Sequence, residues 1–159
     1  MTHAIPSSRA SARLFRSAAA LAAMLLAAAA TAAAQGIAVR EAWVREAAAG
    51  RAVTGAFLIL ANPGDKPVAL VRGAASVGDT LELHEMVRDN GMMKMSPVQR
   101  IEVPAKGETA LRPGGLHLMI FGLKKPLVPG DTVRLTLTFD DGSRVQVAAP
   151  VRAMQQMMP

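Results

Sequence analysis

"TVRLTLTFDDGSRVQVAAPV", residues 132–151, decides the fold. Val133, Leu135, Leu137 and Phe139 alternate with Thr132, Arg134, Thr136 and Thr138. A period of two is the mark of a half-buried strand. Asp140-Asp141-Gly142 interrupts the pattern with turn chemistry, and a second run follows from Arg144. Upstream the same reading repeats at 37–44, 53–62, 67–74, 79–86, 98–103, 108–113 and 116–121, which with 132–139 and 144–151 gives the candidate strands. Asn62-Pro63-Gly64-Asp65, Asn90-Gly91, Pro113-Gly114-Gly115 and Pro129-Gly130-Asp131 separate them. No stretch beyond residue 34 holds a helical period, and no repeat or linker divides the chain. Short strands at this spacing predict an all-β domain, an antiparallel β-sandwich or Greek-key barrel.

The first 34 residues are set apart from that pattern. They carry Arg9, Arg13 and Arg16, no acid, an Ala/Leu-rich run from about Ala18 to Ala30, and small residues up to Ala34. This is the layout of a cleaved secretory signal, with the mature chain starting at Gln35. The apolar run is too short and too rich in alanine for a membrane span, so no stable membrane insertion is expected after cleavage. No cysteine follows the cleavage site to take a lipid. The expected organisation is a signal at 1–34, one domain at 35–151 and a flexible methionine-containing tail at 152–159.

Of the 18 Lys/Arg, three belong to the leader; the remaining 15 face 12 Asp/Glu, a balance of +3 without a long basic run. A nucleic-acid partner is therefore not expected, since that needs a clustered basic face. With no cysteine, disulfides, thiolate metal sites and thiol nucleophiles are excluded.

Histidine and methionine are distributed unevenly. "LELHEMVRDNGMMKM", residues 81–95, holds His84, Met86, Met92, Met93 and Met95; "GGLHLMIFG", residues 114–122, holds His117 and Met119. In a strand, residues i and i+2 share a face. Leu81 and Leu83 then oppose His84 and Met86, and Leu116, Leu118 and Ile120 oppose His117 and Met119. Core-filling methionine belongs on the leucine face, so the His/Met pairs are expected to project away from the core or into a shallow pocket at its edge. Trp43, the only tryptophan, is expected to anchor the core, and Arg45, Arg88 and Lys94 to be solvated.

Thioether sulfur is soft and neutral, and imidazole also accepts copper, so a His/Met set without an obligatory anion points to Cu(I), or to Ag(I) as its mimic. Zinc uses thiolate, imidazole and carboxylate, and calcium and magnesium use oxygen. A blue-copper centre requires a cysteine this chain does not have. Outside the cytoplasm a thioether also has the advantage that it cannot pair as a disulfide. An enzyme is not expected: no phosphate-binding loop, nucleophilic triad or carboxylate pair is legible, and both histidines of the mature chain are taken up by the metal reading.

The spacing His84-x(10)-Met95-x(21)-His117-x-Met119 resembles the signature of the periplasmic copper chaperones of the PCu(A)C family. So do "VREAWVR" (39–45), "LELHEM" (81–86), "LRPGGLHLMIFGL" (111–123) and "PLVPGDTVRLTLTF" (126–139), and the likeness spans residues 37 to 149. The resemblance implies a cupredoxin-like β-sandwich in the periplasm that binds one Cu(I) per chain through His84, Met95, His117 and Met119. It also implies delivery to the Cu(A) domain of cytochrome c oxidase subunit II, in some cases with a Sco-type chaperone. A periplasmic buffer that stores Cu(I) without directed transfer is the alternative. Some members carry a His/Met-rich extension for further copper, whereas here only Met154, Met157 and Met158 follow the domain.

Overall fold

A computed structural model of the chain describes residues 36–153. The signal at 1–34 and the tail methionines lie outside the described residues. The described residues form ten strands and no helix: β1 Ala38–Arg45, β2 Val53–Asn62, β3 Val68–Ala75, β4 Thr80–Asp89, β5 Met92–Pro97, β6 Ile101–Val103, β7 Gly107–Leu111, β8 His117–Phe121, β9 Thr132–Phe139 and β10 Arg144–Arg152. The all-β expectation holds, and most strand boundaries fall within a residue or two of the alternating runs.

The ten strands form one sheet: nine follow the order β5-β4-β8-β2-β1-β10-β9-β3-β6, and β7 pairs with β2 off that path. An additional pairing of β3 with β4, at Gly73↔Leu81, bends that sheet back on itself as a barrel. A Cβ on Gly73 would lie 2.5 Å from a methyl of Leu81, so this close approach depends on glycine. All pairings are antiparallel except β1 with β10, which meet in parallel at Val44↔Val151 and Arg45↔Arg152. Full closure removes most edges, and β5 remains as an edge strand paired only with β4.

Inside the barrel, Leu58, Leu60, Leu70, Leu111, Leu118, Ile120, Leu135, Leu137 and Phe139 are completely or almost completely buried. In β9 the alternation read from the sequence appears directly: Val133, Leu135, Leu137 and Phe139 are buried, while Thr132 and Arg134 are exposed. The Asp140-Asp141-Gly142 turn is tied by the Ser143 N–H donating to Asp141 Oδ1 at 2.8 Å. The Ser143 side chain, and then its N–H, hold the Asp141 carboxyl below its ordinary pKa.

Two departures from the sequence reading position the site. Residues 92–97 form a strand where none was expected: β4 and β5 make a hairpin whose register, Asp89↔Met92, leaves Asn90-Gly91 as a two-residue loop. Asn90 (φ 49°) and Gly91 (φ 83°) are both left-handed, as a type I′ turn requires. The second departure is in β1. Arg40 pairs with Ile59 and Trp43 with Phe57, so three steps on β1 match two on β2, with Glu41 at φ 52°. This bulge re-aims the strand and places Trp43 on the same face as Phe57.

Candidate metal centre

The alternation of β4 and β8 sorts their side chains as expected. Leu81, Leu83, Leu118 and Ile120 face the core, and His84, Met86, His117 and Met119 take the other face. Cross-strand register then assembles the latter group. His84 pairs with His117, Glu82 with Met119, and Met86 with Met95 across the hairpin. Gly55 of β2 pairs with Met119 on its other side. Residues far apart in sequence become neighbours on one patch because paired Cβ atoms in antiparallel strands lie about 5 Å apart.

Of the two settings expected from the sequence, an outward face or a shallow pocket at the edge of the core, the patch forms the pocket. His117 is only 4% exposed, not an outward surface residue. Its ring lies 5.9 Å from that of His84 and 6.3 Å from that of Phe57. Phe57 in turn stacks on Trp43, centroids 4.3 Å apart and planes at 25°. Trp43 is buried, as expected of a core anchor, and its stack on Phe57 lies beside the largest apolar cluster. Arg45 is not fully solvated. It is partly buried with its guanidinium 5.7 Å above the Phe57 ring. The β1 bulge brings Trp43 into register with Phe57, and an irregular register cannot be read from alternation.

A cavity of about 240 Å³ opens on this face. Met95, His117 and Met119 line it together with Met86, Arg45, Thr54, Gly55, Phe57, Pro113 and Gly114. Three of the four residues implied by the resemblance therefore meet in one cavity. The fourth, His84, stands beside it through its ring contact with His117. Met86, which shares the face of His84, is part of the lining. Met92 and Met93 project near the tip of the hairpin, 72% and 51% exposed, and are not in the cavity wall.

Hydrogen bonds orient both imidazoles. His117 Nδ1 lies 2.8 Å from the Gly115 carbonyl oxygen. A carbonyl only accepts, so Nδ1 carries the proton and Nε2 keeps its lone pair for a metal. His84 Nε2 lies 3.0 Å from Glu82 Oε2; a carboxylate oxygen only accepts, so Nε2 carries the proton and, in the neutral ring, Nδ1 keeps the lone pair. That Nδ1 is buried and has no partner among the described residues. A buried acceptor without a partner is costly, and a metal ion would satisfy it. Among the described residues no three His, Asp or Glu side chains gather in one place, so a zinc- or calcium-type oxygen/nitrogen cage is not formed. The donors present, thioethers with two neutral imidazoles, fit a soft monovalent ion.

The family described as "Putative lipoprotein LpqE-like" matches residues 37–151. "Putative lipoprotein Lxx21020" of Leifsonia xyli subsp. xyli is 40% identical over 118 residues, which is 74% of this chain and 70% of that protein. Among solved structures, Cu(I)-bound DR1885 from Deinococcus radiodurans is 35% identical with a TM-score of 0.54, covering 79% of this chain and 85% of that one. The copper-bound PCuAC domain of PmoF2 superimposes with a TM-score of 0.64 at 21% identity, over 76% of this chain and 96% of that domain, a likeness of fold. No helix among the described residues is long and apolar enough to cross a membrane. With the fold of the PCuAC domains and a match running from the first strand to the last, the chain belongs to the LpqE-like family.

Proposed function

We propose that this protein is an exported Cu(I) chaperone that carries one Cu(I) per chain on His84, Met95, His117 and Met119. The observation that carries the reading is the donor set of the cavity: two methionine thioethers and the His117 imidazole line it, and the buried, unpartnered Nδ1 of His84 stands beside it. Such a set is neutral and soft, which suits Cu(I) and gives hard divalent ions little hold. The Cu(I)-bound relative from Deinococcus radiodurans supports the same metal. The lipoprotein description of the Leifsonia relative supports export, and we assign the periplasm as the compartment.

Carriage is favoured over storage because the described residues offer one such donor cluster and part of it is accessible. Met95 is 52% exposed on an edge strand, so an incoming donor can reach the ion from its side. The acceptor we assign is the Cu(A) domain of cytochrome c oxidase subunit II, reached directly or through a Sco-type partner. The protein's part is to hold and release an ion, with no catalytic step.

Titration with Cu(I) under reducing conditions, against a competing chelator, tests the metal: one equivalent should be withheld from the chelator. Mixing the loaded protein with the apo Cu(A) domain, alone or with a Sco-type protein, should move copper to the acceptor. Cells lacking the protein should lose oxidase activity at low copper and regain it on copper addition. Normal oxidase in copper-limited deletion cells, combined with hypersensitivity to excess copper, would favour storage and overturn the delivery reading.

A further inference from the structure

Met86 falls outside the spacing that relates His84, Met95, His117 and Met119, yet three observations place it at the same centre. It is the in-register partner of Met95 across the β4–β5 hairpin, on the face that carries His84. It lines the cavity with Met95, His117 and Met119, whereas His84 stands outside the lining. Its backbone N–H donates to the Gly115 carbonyl oxygen at 3.2 Å, and that same oxygen accepts from His117 Nδ1 at 2.8 Å. One carbonyl therefore holds both the Met86 backbone and the His117 ring. Met86 is also only partly buried and does not belong to the main apolar cluster, so gap-filling in the core does not account for it.

We propose that Met86 is a fifth donor to the Cu(I) of this cavity, sharing one coordination position with His84. The inference rests on the Cu(I) reading above. Cu(I) takes at most four donors, and five are gathered here, so two four-donor sets are available: Met86, Met95, Met119 and His117, or His84, Met95, Met119 and His117. Glu82 holds His84 from its Nε2 side, beside the cavity rather than in its wall. Exchange between imidazole and thioether at the shared position lets one donor leave while the ion stays bound. A site built this way can admit a donor from an acceptor without first setting the ion free. No electron or proton needs to move for that exchange, because the thioether is neutral and does not titrate and His84 Nδ1 already carries its lone pair.

The test uses the full mature chain, with the wild type, Met86→Leu, His84→Gln and the double variant compared under reducing conditions. Leucine nearly conserves the methionine volume, so the unfolding midpoint of Met86→Leu should stay close to wild type. Because His84 can fill the shared position, Met86→Leu alone should lose little Cu(I) affinity against a competing chelator, whereas adding Met86→Leu to His84→Gln should lower it by about tenfold or more, a range that even supporting residues of metal sites command. X-ray absorption on Cu(I)-loaded His84→Gln, which does not depend on the first variant, should show a shell of three sulfurs and one nitrogen, from Met86, Met95, Met119 and His117. No further loss of affinity when Met86→Leu is added to His84→Gln, or a shell with two sulfurs in His84→Gln, overturns the role of Met86 and leaves the Cu(I) reading standing. A wild-type protein that withholds no Cu(I) from the chelator overturns both.

Discussion

Met119 and Met95 illustrate how unequal two members of the proposed donor set can be. Met119 is half-buried and held in register between Gly55 and Glu82, whereas Met95 is 52% exposed on an edge strand. Fixing a side chain that is already ordered loses less rotamer entropy than fixing a free one. Met119→Leu should therefore weaken Cu(I) binding more than Met95→Leu, by about tenfold or more relative to wild type, while both keep the wild-type unfolding midpoint. Competition titration together with thermal unfolding checks this, and equal losses in the two variants would contradict the ordering. At this scale the sequence was informative about chemistry: residue type pointed to a soft metal, the family resemblance implied four donors, and three of them line one cavity. It was silent about Met86, about the burial of His117 and about which ring nitrogen is free. Those depend on cross-strand register and on the Gly115 and Glu82 acceptors.

Among the elements, β9 and β10 were legible because one face is dry and the other wet, which writes the alternation into the residues. β5 was not. Met92-Met93-Lys94-Met95-Ser96-Pro97 has no β-branched residue and no buried face, so it lacks both propensity and pattern. The usable signal was Asn90-Gly91, a two-residue hairpin loop that requires a strand on each side. A Cβ at Gly91 would meet nothing within 4 Å, and the cost of Gly91→Ala is therefore conformational, about 1–2 kcal/mol for a left-handed residue. Because β5 contributes no residue to the core, that cost should loosen the hairpin locally. Amide hydrogen exchange should rise in residues 86–97 and Cu(I) affinity should drop through Met95, with little change in the global unfolding midpoint. A lowered global midpoint with unchanged affinity would show that the hairpin belongs to the cooperative core.

For the molecule as a whole, the barrel closes where β3 pairs with β4. Gly73 meets Leu81 where β3 joins β4, and β4 carries both His84 and Met86. Gly73→Ala inserts a methyl 2.5 Å from a buried leucine methyl. Overpacking of this kind costs about 1–3 kcal/mol, and here the displaced strand also carries two of the proposed donors. The expected result is a lower unfolding midpoint together with weaker Cu(I) binding, measured by denaturant titration and chelator competition. Loss of stability with intact binding would mean that β8 and β5 hold β4 in place without β3. The sequence pointed to a closed or sandwiched β domain but not to this closure, because a single glycine at a seam leaves no periodic trace.

The bulge in β1 has one more consequence. It stacks Trp43 on Phe57, and Phe57 lies 6.3 Å from His117. The chain contains one tryptophan and no tyrosine, so its near-ultraviolet emission comes from a single indole one ring away from the cavity. That makes the protein its own optical gauge. Emission should be quenched or shifted in proportion to Cu(I) added, reach a plateau at one equivalent, and return when a chelator or an acceptor removes the ion. Transfer between partners could then be timed in a stopped-flow cell without any label.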